Sequence, residues 1–311
     1  MTLVSMDLTG KIALVAGGTR GASRAIAVEL GRAGAFVYVT GRSTAAGRSE
    51  VDRPETIEET VALVEAAGGT GTAVRVDHLV PDEVRTLAAT IGAGHGRLDI
   101  LVDGVWGGDH HLQWGKPVWE HDLDASLRML HLGIDAHVIT AHALFPLVVA
   151  AGDGLVVELT DGIPEYDAVF RQGTSTAFYV AKTAAHQLVK AEAFELAPSG
   201  GTAVAFSPGW LRSEAMLEIF GVREDNWRDA IAETPHFAIS ETPTFVGRTV
   251  AALAADPGRH ELTGQSLDSG LLAKRYGVDD VDGSRPDGWR YMIEVERAGL
   301  PADPETVAKY R

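Results

Sequence analysis

The sequence predicts an α/β fold with a doubly wound parallel sheet, built as a single domain with a C-terminal extension. Three observations support this. Residues 12–16 form an apolar run with strand character, followed at once by a glycine-bearing turn and a segment with helical spacing. Short β-rich runs then alternate with helical patterns, which is typical of a parallel sheet with helices on both faces. The 311 residues are 45% hydrophobic and 23% charged, which is a globular composition.

Each later element follows from the same alternation. Apolar, β-rich runs predict the second to seventh strands at residues 35–40, 72–77, 98–103, 155–160, 202–207 and 264–268. Helical spacing predicts helices at residues 61–67, 81–91, 122–150, 176–196 and 244–255. We expect a domain over residues 1–275, with residues 208–240 as a mobile lid, and an extension over residues 276–311. This polar tail wraps over its own domain or over a neighbouring subunit, and both remain open.

Composition and charge argue against several classes of function. The formal net charge is −16 and no basic stripe is present, so nucleic acid and anionic membranes are poor partners. The chain has no cysteine, which excludes disulfides, thiolate nucleophiles and cysteine-based zinc sites. The start of the chain does not resemble a signal peptide, and residues 134–151 are interrupted by polar residues and Pro146. We therefore expect a cytoplasmic protein without a membrane span.

The first turn carries a signal for a bound nucleotide. Glycines allow backbone N–H groups to approach a pyrophosphate closely, and the N-terminus of the following helix supplies partial positive charge. An ordinary turn between a strand and a helix is the alternative. The residues expected to bind a dinucleotide here are Gly17, Thr19, Arg20, Gly21 and Ser23.

The end of the second strand indicates which dinucleotide is bound. Proteins that prefer NAD place an acidic residue there to accept hydrogen bonds from the ribose 2′-hydroxyl. This chain instead has Arg42 and Ser43, and the guanidinium of Arg42 can pair with a 2′-phosphate. Arg20 in the glycine turn can face the same phosphate. We therefore predict NADP(H), the alternative being two solvent-exposed arginines without a ligand.

Several segments together resemble the short-chain dehydrogenase/reductase family, which has a Rossmann fold. The turn spacing is Gly-x-x-x-Gly-x-Ser, similar to the family's Gly-x-x-x-Gly-x-Gly, with Ser23 at the third glycine. Asp77 stands where the family has an aspartate that contacts the adenine. Residues 101–107 look like the family's Asn-Asn-Ala-Gly segment, with both asparagines missing and Gly104 expected at the cofactor. The resemblance extends over about residues 8–270.

Two further segments extend the resemblance. Residues 208–213 are similar to the family's Pro-Gly-x-x-x-Thr segment, which holds the nicotinamide carboxamide. This implies cofactor contacts from Pro208, Gly209, Leu211 and Ser213. The strand end Thr160-Asp161-Gly162 is shared with one bacterial subgroup of the family, for which no substrate is implied.

The resemblance implies a catalytic group that this chain carries in altered form. The family uses Tyr-x-x-x-Lys on a helix, with a serine at the end of the fifth strand and often an asparagine in the preceding helix. Lys182 is present and is implied to bind the nicotinamide ribose, but Phe178 occupies the tyrosine position. Tyr179 lies three residues before the lysine and leaves the helix axis about 100° away from Phe178. Thr160 and Asp161 stand at the serine position.

Three hypotheses remain open for the activity. In the first, an oxidoreductase interconverts a carbonyl and a secondary alcohol on a small, partly apolar substrate, with Tyr179 as acid/base and Thr160 or Asp161 orienting the substrate. In the second, Phe178 marks loss of this chemistry in a protein that still binds NADP(H). In the third, Asp161 or a histidine performs cofactor-independent lyase or isomerase chemistry; Asp161 can equally be a simple turn former.

Other residues carry weaker signals. Trp106, Trp114 and Trp119 line an apolar pocket or merely anchor their loop. The histidine spacings do not predict a metal site, although His131 or His137 remains a candidate for proton transfer. By analogy of fold, the helices at residues 122–150 and 176–196 pair between subunits of a homodimer or homotetramer.

Overall fold

Seven parallel strands form one sheet in the order β3-β2-β1-β4-β5-β6-β7. The computed structural model describes residues 6–171 and 173–311 of the chain. The predicted doubly wound parallel sheet is confirmed. The strands are β1 (Ile12–Ala16), β2 (Phe36–Gly41), β3 (Thr70–Arg75), β4 (Ile100–Asp103), β5 (Leu155–Leu159), β6 (Thr202–Ser207) and β7 (Ser266–Asp268).

Helices connect the strands and cover both faces of the sheet. They are α1 (Gly21–Arg32), α2 (Ile57–Ala66), α3 (Pro81–His95), α4 (Leu123–Leu130), α5 (Ala136–Ala150), α6 (Pro164–Asp167), α7 (Thr176–Leu196), α8 (Glu214–Ile219), α9 (Pro243–Ala255), α10 (Ser269–Tyr276), α11 (Gly288–Tyr291) and α12 (Pro304–Ala308). The helical stretch predicted at residues 61–67, in a helix introduced by Pro54, lies in α2, which begins at Ile57. The reason is a capping box, in which Thr56 and Glu59 satisfy each other's backbone N–H groups.

The core lies on the two sides of the sheet. On one side, Ile26, Val39 and Phe245 belong to a buried apolar cluster that joins α1 and α9 to the central strands. On the other side, Leu14 and Leu144 belong to a second cluster that includes α3 and α5. Burial on both faces explains why the central strands are almost continuously apolar.

One long helical run, Leu123–Ala150, has an apolar composition. The helix predicted at residues 122–150 consists of α4, a π-helical turn at His131–Asp135 and α5. The run Leu123–Ala150 has a mean hydropathy of 1.6, long and apolar enough to cross a membrane on length and composition alone. Core helices of soluble proteins pass the same test, and Leu144 and Val148 of this run are buried against the sheet.

The segment after β6 and the C-terminal tail pack against each other. Residues 208–240 contain α8 and two short 3₁₀ helices. Ile239 from this segment packs with Tyr291, Val295 and Val307 of the tail. The indole N–H of Trp289 donates to the Pro208 carbonyl oxygen at 2.7 Å. The tail therefore lies on its own domain. The mobility of the lid and the boundary at residue 275 remain predictions.

Candidate functional site

A cleft of about 910 Å³ opens at the carboxyl ends of the strands, beside the point where the strand order reverses between β1 and β4. Parallel α/β sheets bind ligands at this point. All but one of the site residues predicted from the sequence line this cleft. They are Gly17, Thr19, Arg20, Gly21, Ser23, Arg42, Ser43, Asp77, Gly104, Thr160, Asp161, Lys182, Pro208, Gly209, Leu211 and Ser213.

The glycine turn is packed too closely to carry side chains. Gly17 has a φ of +71°, and a Cβ there would lie 2.5 Å from the carbonyl oxygen of Gly104. A Cβ on Gly104 would in turn lie 2.2 Å from the hydroxyl oxygen of Ser23. Ser23, which replaces the expected third glycine, is therefore accommodated because residue 104 has no side chain.

The start of α1 already binds an anionic oxygen. The backbone N–H of Gly21 donates to a carboxylate oxygen of Glu214 at 2.9 Å. The other oxygen of this carboxylate lies 3.8 Å from the guanidinium of Arg24. Glu214 is the first residue of α8, in the segment predicted to be the lid. A carboxylate from this segment therefore accepts the hydrogen bond of a backbone N–H at the predicted pyrophosphate site.

Two arginines line the predicted nucleotide end of the cleft and differ in their partners. Within residues 6–171 and 173–311, the Arg20 guanidinium has neither a carboxylate within 4.0 Å nor a hydrogen bond, and burial lowers its pKa. Arg42 pairs with Glu50 at 3.2 Å and lies 3.9 Å from Asp77. Arg42 is thus largely enclosed, with a side-chain exposure of 16%. The alternative of two solvent-exposed arginines does not describe this geometry.

The ammonium group of Lys182 lies against an aromatic wall. Its Nζ is 3.7 Å from the ring centre of Trp106 and 5.8 Å from that of Phe178. Burial lowers the pKa of Lys182, although Asp109 and Asp161 oppose this effect. Thr160 donates its hydroxyl to the Lys182 carbonyl oxygen at 2.5 Å, so this proton is directed at the backbone and not into the cleft.

The carboxylate of Asp161 is held by an arginine that the sequence analysis missed. Arg171 approaches Asp161 at 3.1 Å and Asp167 at 2.9 Å. Its guanidinium also lies 5.0 Å from the ring of Tyr166 and 5.5 Å from that of Trp289. Asp161 is therefore an ion-paired carboxylate that faces the cleft.

Tyr179 is the predicted site residue that the structure does not bring into the cleft. Its hydroxyl donates to the carbonyl oxygen of Asp167 at 2.5 Å, and its ring packs edge-on against Phe170. Phe178, in contrast, lines the cleft. The structure thus corrects the expectation that Tyr179 turns towards the substrate: α7 starts regularly at Ser175, whose side chain caps the helix, and one residue of helix rotation separates the two rings.

The aromatic residues and the tail complete the wall of the cleft. Trp106 and Trp114 line it, whereas Trp119 does not and is 81% exposed. The tail contributes Trp289, Met292 and Glu296, none of which was predicted. These three residues lie in an Asp- and Pro-rich stretch that lacks helical or strand periodicity. No local feature of the sequence therefore indicates that they line the cleft.

A buried charged cluster lies beneath the cleft, formed by Asp103, His137, Glu158 and Glu192. His137 bridges Glu158 at 2.5 Å and the Val105 carbonyl oxygen at 3.0 Å. Burial alone lowers the pKa of His137, but Asp103 and Glu158 together raise it to about 10. Burial and the neighbouring carboxylates raise the pKa of Glu192 to about 9.

The same cluster brings together atoms that commonly bind metals. Ligand atoms of Asp103, His137 and Glu158 lie within 4.8 Å of one another, as do those of Glu50, His110 and His111 near the cleft mouth. His137 contacts the cleft only through the Val105 backbone, and His131 pairs with Asp135 on the surface. Neither histidine reaches the cleft to transfer a proton there.

Comparison with known proteins assigns this architecture to a family. The model of the short-chain dehydrogenases matches residues 11–221. The chain belongs to the short-chain dehydrogenase/reductase (SDR) family. The family membership predicted from the sequence is thereby confirmed.

The SDR relatives cover most of the chain. Mouse dehydrogenase/reductase SDR family member 1 is 31% identical over 281 residues, which cover 89% of this chain and 85% of that protein. The 7alpha-hydroxysteroid dehydrogenase of Clostridium sardiniense is 27% identical over 223 residues, covering 72% and 78%. A Beutenbergia cavernae structure, described as an NAD(P)-dependent gluconate 5-dehydrogenase with bound NADP, has a TM-score of 0.66 at 24% identity and covers 86% of this chain and 99% of its own.

Gly133 and Trp106 pack closely in this SDR chain. A Cβ on Gly133 would lie 3.0 Å from the Trp106 ring and 2.9 Å from the Cβ of Ala181. Trp106 packs edge-on against Phe178 with ring centres 5.9 Å apart. Trp106 therefore fills space that an asparagine side chain at residue 133 would need.

Proposed function

We propose that this SDR protein uses NADP(H) to interconvert a carbonyl and a secondary alcohol on a small, partly apolar substrate. The observation that carries the proposal is that Lys182 lines the same cleft as the glycine turn, with the aromatic wall of Trp106 and Phe178 beside it. The family is one of oxidoreductases that act on small molecules.

The residues of the cleft fit a dinucleotide phosphate. The Gly21 N–H donates to an anionic oxygen, Gly17 has no room for a side chain, and Arg20 lacks a carboxylate partner in the described part of the chain. We assign the pyrophosphate to the glycine turn, the 2′-phosphate to Arg20 and Arg42, and the adenine to Asp77. Lys182 holds the nicotinamide ribose, and the segment from Pro208 to Ser213 faces the ring. When bound, the nicotinamide ring supplies or accepts the hydride.

The proton in this reaction needs a donor other than Tyr179, because that hydroxyl is committed to Asp167. We assign this role to the ammonium of Lys182, which faces the cleft and whose pKa is lowered by burial. A lowered pKa brings the group closer to neutral pH, where a proton donor and acceptor works best. Asp161, held by Arg171, then orients the substrate from the opposite side.

The assignment is tested with NADPH oxidation across a panel of aromatic and aliphatic carbonyls. We expect Lys182→Met to lower the rate by ~10²–10⁴-fold, as for loss of a general acid. The matched change Tyr179→Phe should leave the rate within about threefold, because its hydroxyl lies outside the cleft. Phe178→Tyr should raise the rate by adding a phenol at the family position.

Three outcomes oppose the proposal. Loss of activity in Tyr179→Phe with the fold intact would restore Tyr179 as the acid. Tight NADPH binding without turnover on any carbonyl, even in Phe178→Tyr, would favour a protein that binds the nucleotide silently. No saturable binding of NADPH at millimolar concentration would overturn the nucleotide assignment altogether.

Cofactor preference has its own test. We expect Arg42→Ala to weaken NADPH binding by about tenfold and to leave NADH binding unchanged, because the lost guanidinium serves the 2′-phosphate. Arg48→Ala is the control, since Arg48 also follows β2, is exposed, and pairs with Asp52. An equal loss for both nucleotides in Arg42→Ala contradicts the preference for NADP(H).

We also assign a homodimer or homotetramer that forms through α4, α5 and α7, and a cytoplasmic location. These helices expose large apolar side chains, including Leu123, Val138 and Phe194, the last of which is 82% exposed. Phe194→Glu should shift the protein to a smaller species in light scattering after size exclusion. An unchanged mass would place the interface elsewhere.

A further inference from the structure

Lys182 differs from every other lysine of the chain. The sequence contains six lysines. Lys11, Lys274 and Lys309 are ion-paired with carboxylates, and Lys116 and Lys190 are exposed to solvent. Lys182 alone among the six faces the cleft. The other five therefore serve as internal references for its reactivity.

The surroundings of the Lys182 amine favour its neutral form. Among residues 6–171 and 173–311, no carboxylate oxygen lies within 4.0 Å of its Nζ and no acceptor is hydrogen-bonded to it. Two aromatic rings face it instead, at 3.7 Å and 5.8 Å from their centres. A cation–π contact only partly replaces hydration of an ammonium, and burial lowers the pKa of Lys182.

The backbone of Lys182 and the aromatic residue beside its amine are each held by a hydrogen bond. Thr160 at the end of β5 donates its hydroxyl to the Lys182 carbonyl oxygen, which joins α7 to the sheet at this turn. Gly133 leaves room for Trp106, whose indole N–H donates to Asp109 at 2.6 Å. The aromatic wall and the lysine are thus held in one arrangement, in a cleft large enough for a small substrate.

We propose that Lys182 is also a nucleophile that forms a reversible imine with aldehydes and ketones that enter the cleft. The amine nitrogen bonds to the carbonyl carbon, and a proton moves from nitrogen to the carbonyl oxygen to give a carbinolamine. The carbon–oxygen bond then breaks, and the hydroxyl leaves as water with the second proton of the nitrogen, so that the nitrogen–carbon double bond forms. The step consumes no oxidant or reductant, and it requires neither a nucleotide nor the redox reaction proposed above.

The cleft lacks the group that would compete with this reaction in the family pattern. In the family pattern, a tyrosine four residues before the lysine directs its phenol proton at the substrate oxygen. This chain has Phe178 at that position, which has no such proton. Tyr179 is bonded to the Asp167 carbonyl oxygen, and Asp161 is paired with Arg171. A carbonyl that stacks on Trp106 therefore lies beside the Lys182 amine, with no phenol at residue 178 and with the Tyr179 hydroxyl bonded elsewhere.

The test is reductive trapping without nucleotide. The purified full chain is incubated at neutral pH with benzaldehyde, an aromatic carbonyl suited to the aromatic wall, and sodium cyanoborohydride, which supplies a hydride to the imine. The modified lysine is then located by peptide mass spectrometry. We expect Lys182 to gain a benzyl group at least about tenfold faster than any other lysine, because the cleft holds the aldehyde beside its amine. The lowered pKa of Lys182 acts in the same direction.

Two variants keep the result interpretable. Lys182→Arg retains a cation in the cleft but cannot form the imine. The fast labelling should therefore disappear, and only the slow labelling of the other five lysines should remain. Phe178→Leu keeps the lysine and removes one aromatic wall, and should lower the selectivity. Labelling of Lys182 at no more than the rate of the exposed Lys116 or Lys190 would overturn the proposal, whatever the outcome of the NADPH experiments.

Discussion

Glu192 offers a test of the buried charged cluster in which a single substitution should stabilise the protein. This side chain is 5% exposed and its pKa is raised from 4.5 to about 9, first by burial and then by Glu158 and Asp103. At neutral pH the folded chain therefore keeps a proton on Glu192 that the unfolded chain has released. Glutamine closely resembles this protonated form and has no proton to lose.

The size and sign of the effect follow from linkage. A carboxyl whose folded pKa is raised contributes its full stability below the unfolded value of 4.5 and loses it as the pH rises through the folded value of about 9. The loss is about 1.4 kcal/mol for each pH unit, which gives ~3 kcal/mol at pH 7. Glu192→Gln should avoid this loss, so its free energy of unfolding should exceed that of the wild type by up to ~3 kcal/mol at pH 7.

The assay is urea unfolding, followed by circular dichroism, at several pH values between 5 and 9. The advantage of Glu192→Gln should be small at pH 5 and should grow steadily with pH. Glu195→Gln is the matched control, since Glu195 is exposed on the same helix and should change stability by less than ~0.5 kcal/mol. A Glu192→Gln protein that is no more stable than the wild type at pH 8 would refute the reasoning.

Three further outcomes are expected. Gly104→Ala should lower the free energy of unfolding by ~1–3 kcal/mol in urea, because its Cβ would meet the Ser23 hydroxyl at 2.2 Å, and Ser23→Gly in the same chain should recover part of the loss. Glu214→Gln should tighten NADPH binding by about threefold to tenfold in a fluorescence titration, since a neutral amide competes less well than a carboxylate for the Gly21 N–H. The control Glu233→Gln, at an exposed residue, should bind NADPH as the wild type does. Weaker binding in Glu214→Gln would show that the carboxylate assists the nucleotide. Trp289→Phe should lower stability by ~1–3 kcal/mol in thermal unfolding, because the Pro208 carbonyl oxygen and Ser207 lose their buried donor, whereas the exposed Trp119→Phe should have no effect.

Local sequence signals accounted for the elements and for the nucleotide end of the cleft. The strand, the glycine turn and helix α1 are contiguous, so one short segment places Gly17, Arg20 and Gly21 together. Pro54 indicated only roughly where α2 begins, whereas the capping box of Thr56 and Glu59 sets its start at Ile57. Boundaries of this kind depend on side-chain hydrogen bonds that apolar periodicity does not report.

The substrate end was less predictable because its residues come from distant segments. Trp289 and Met292 reach the cleft only through packing of the tail on residues 208–240. The orientation of Tyr179 depends on where α7 begins and on a carbonyl acceptor at Asp167. Glu158 and Glu192 look like solvent-facing charges in the sequence, yet both are buried between the sheet and its covering helices.

The contact between Ser23 and Gly104 links two positions that are distant in the chain. A serine at residue 23 leaves no room for a side chain at residue 104, whereas a glycine at residue 23 removes this contact. A path that adds a side chain at residue 104 must therefore replace Ser23 first and pass through the glycine–glycine intermediate. Grafting the loop after β4 from a typical family member into this chain would therefore fail unless the first turn is exchanged with it.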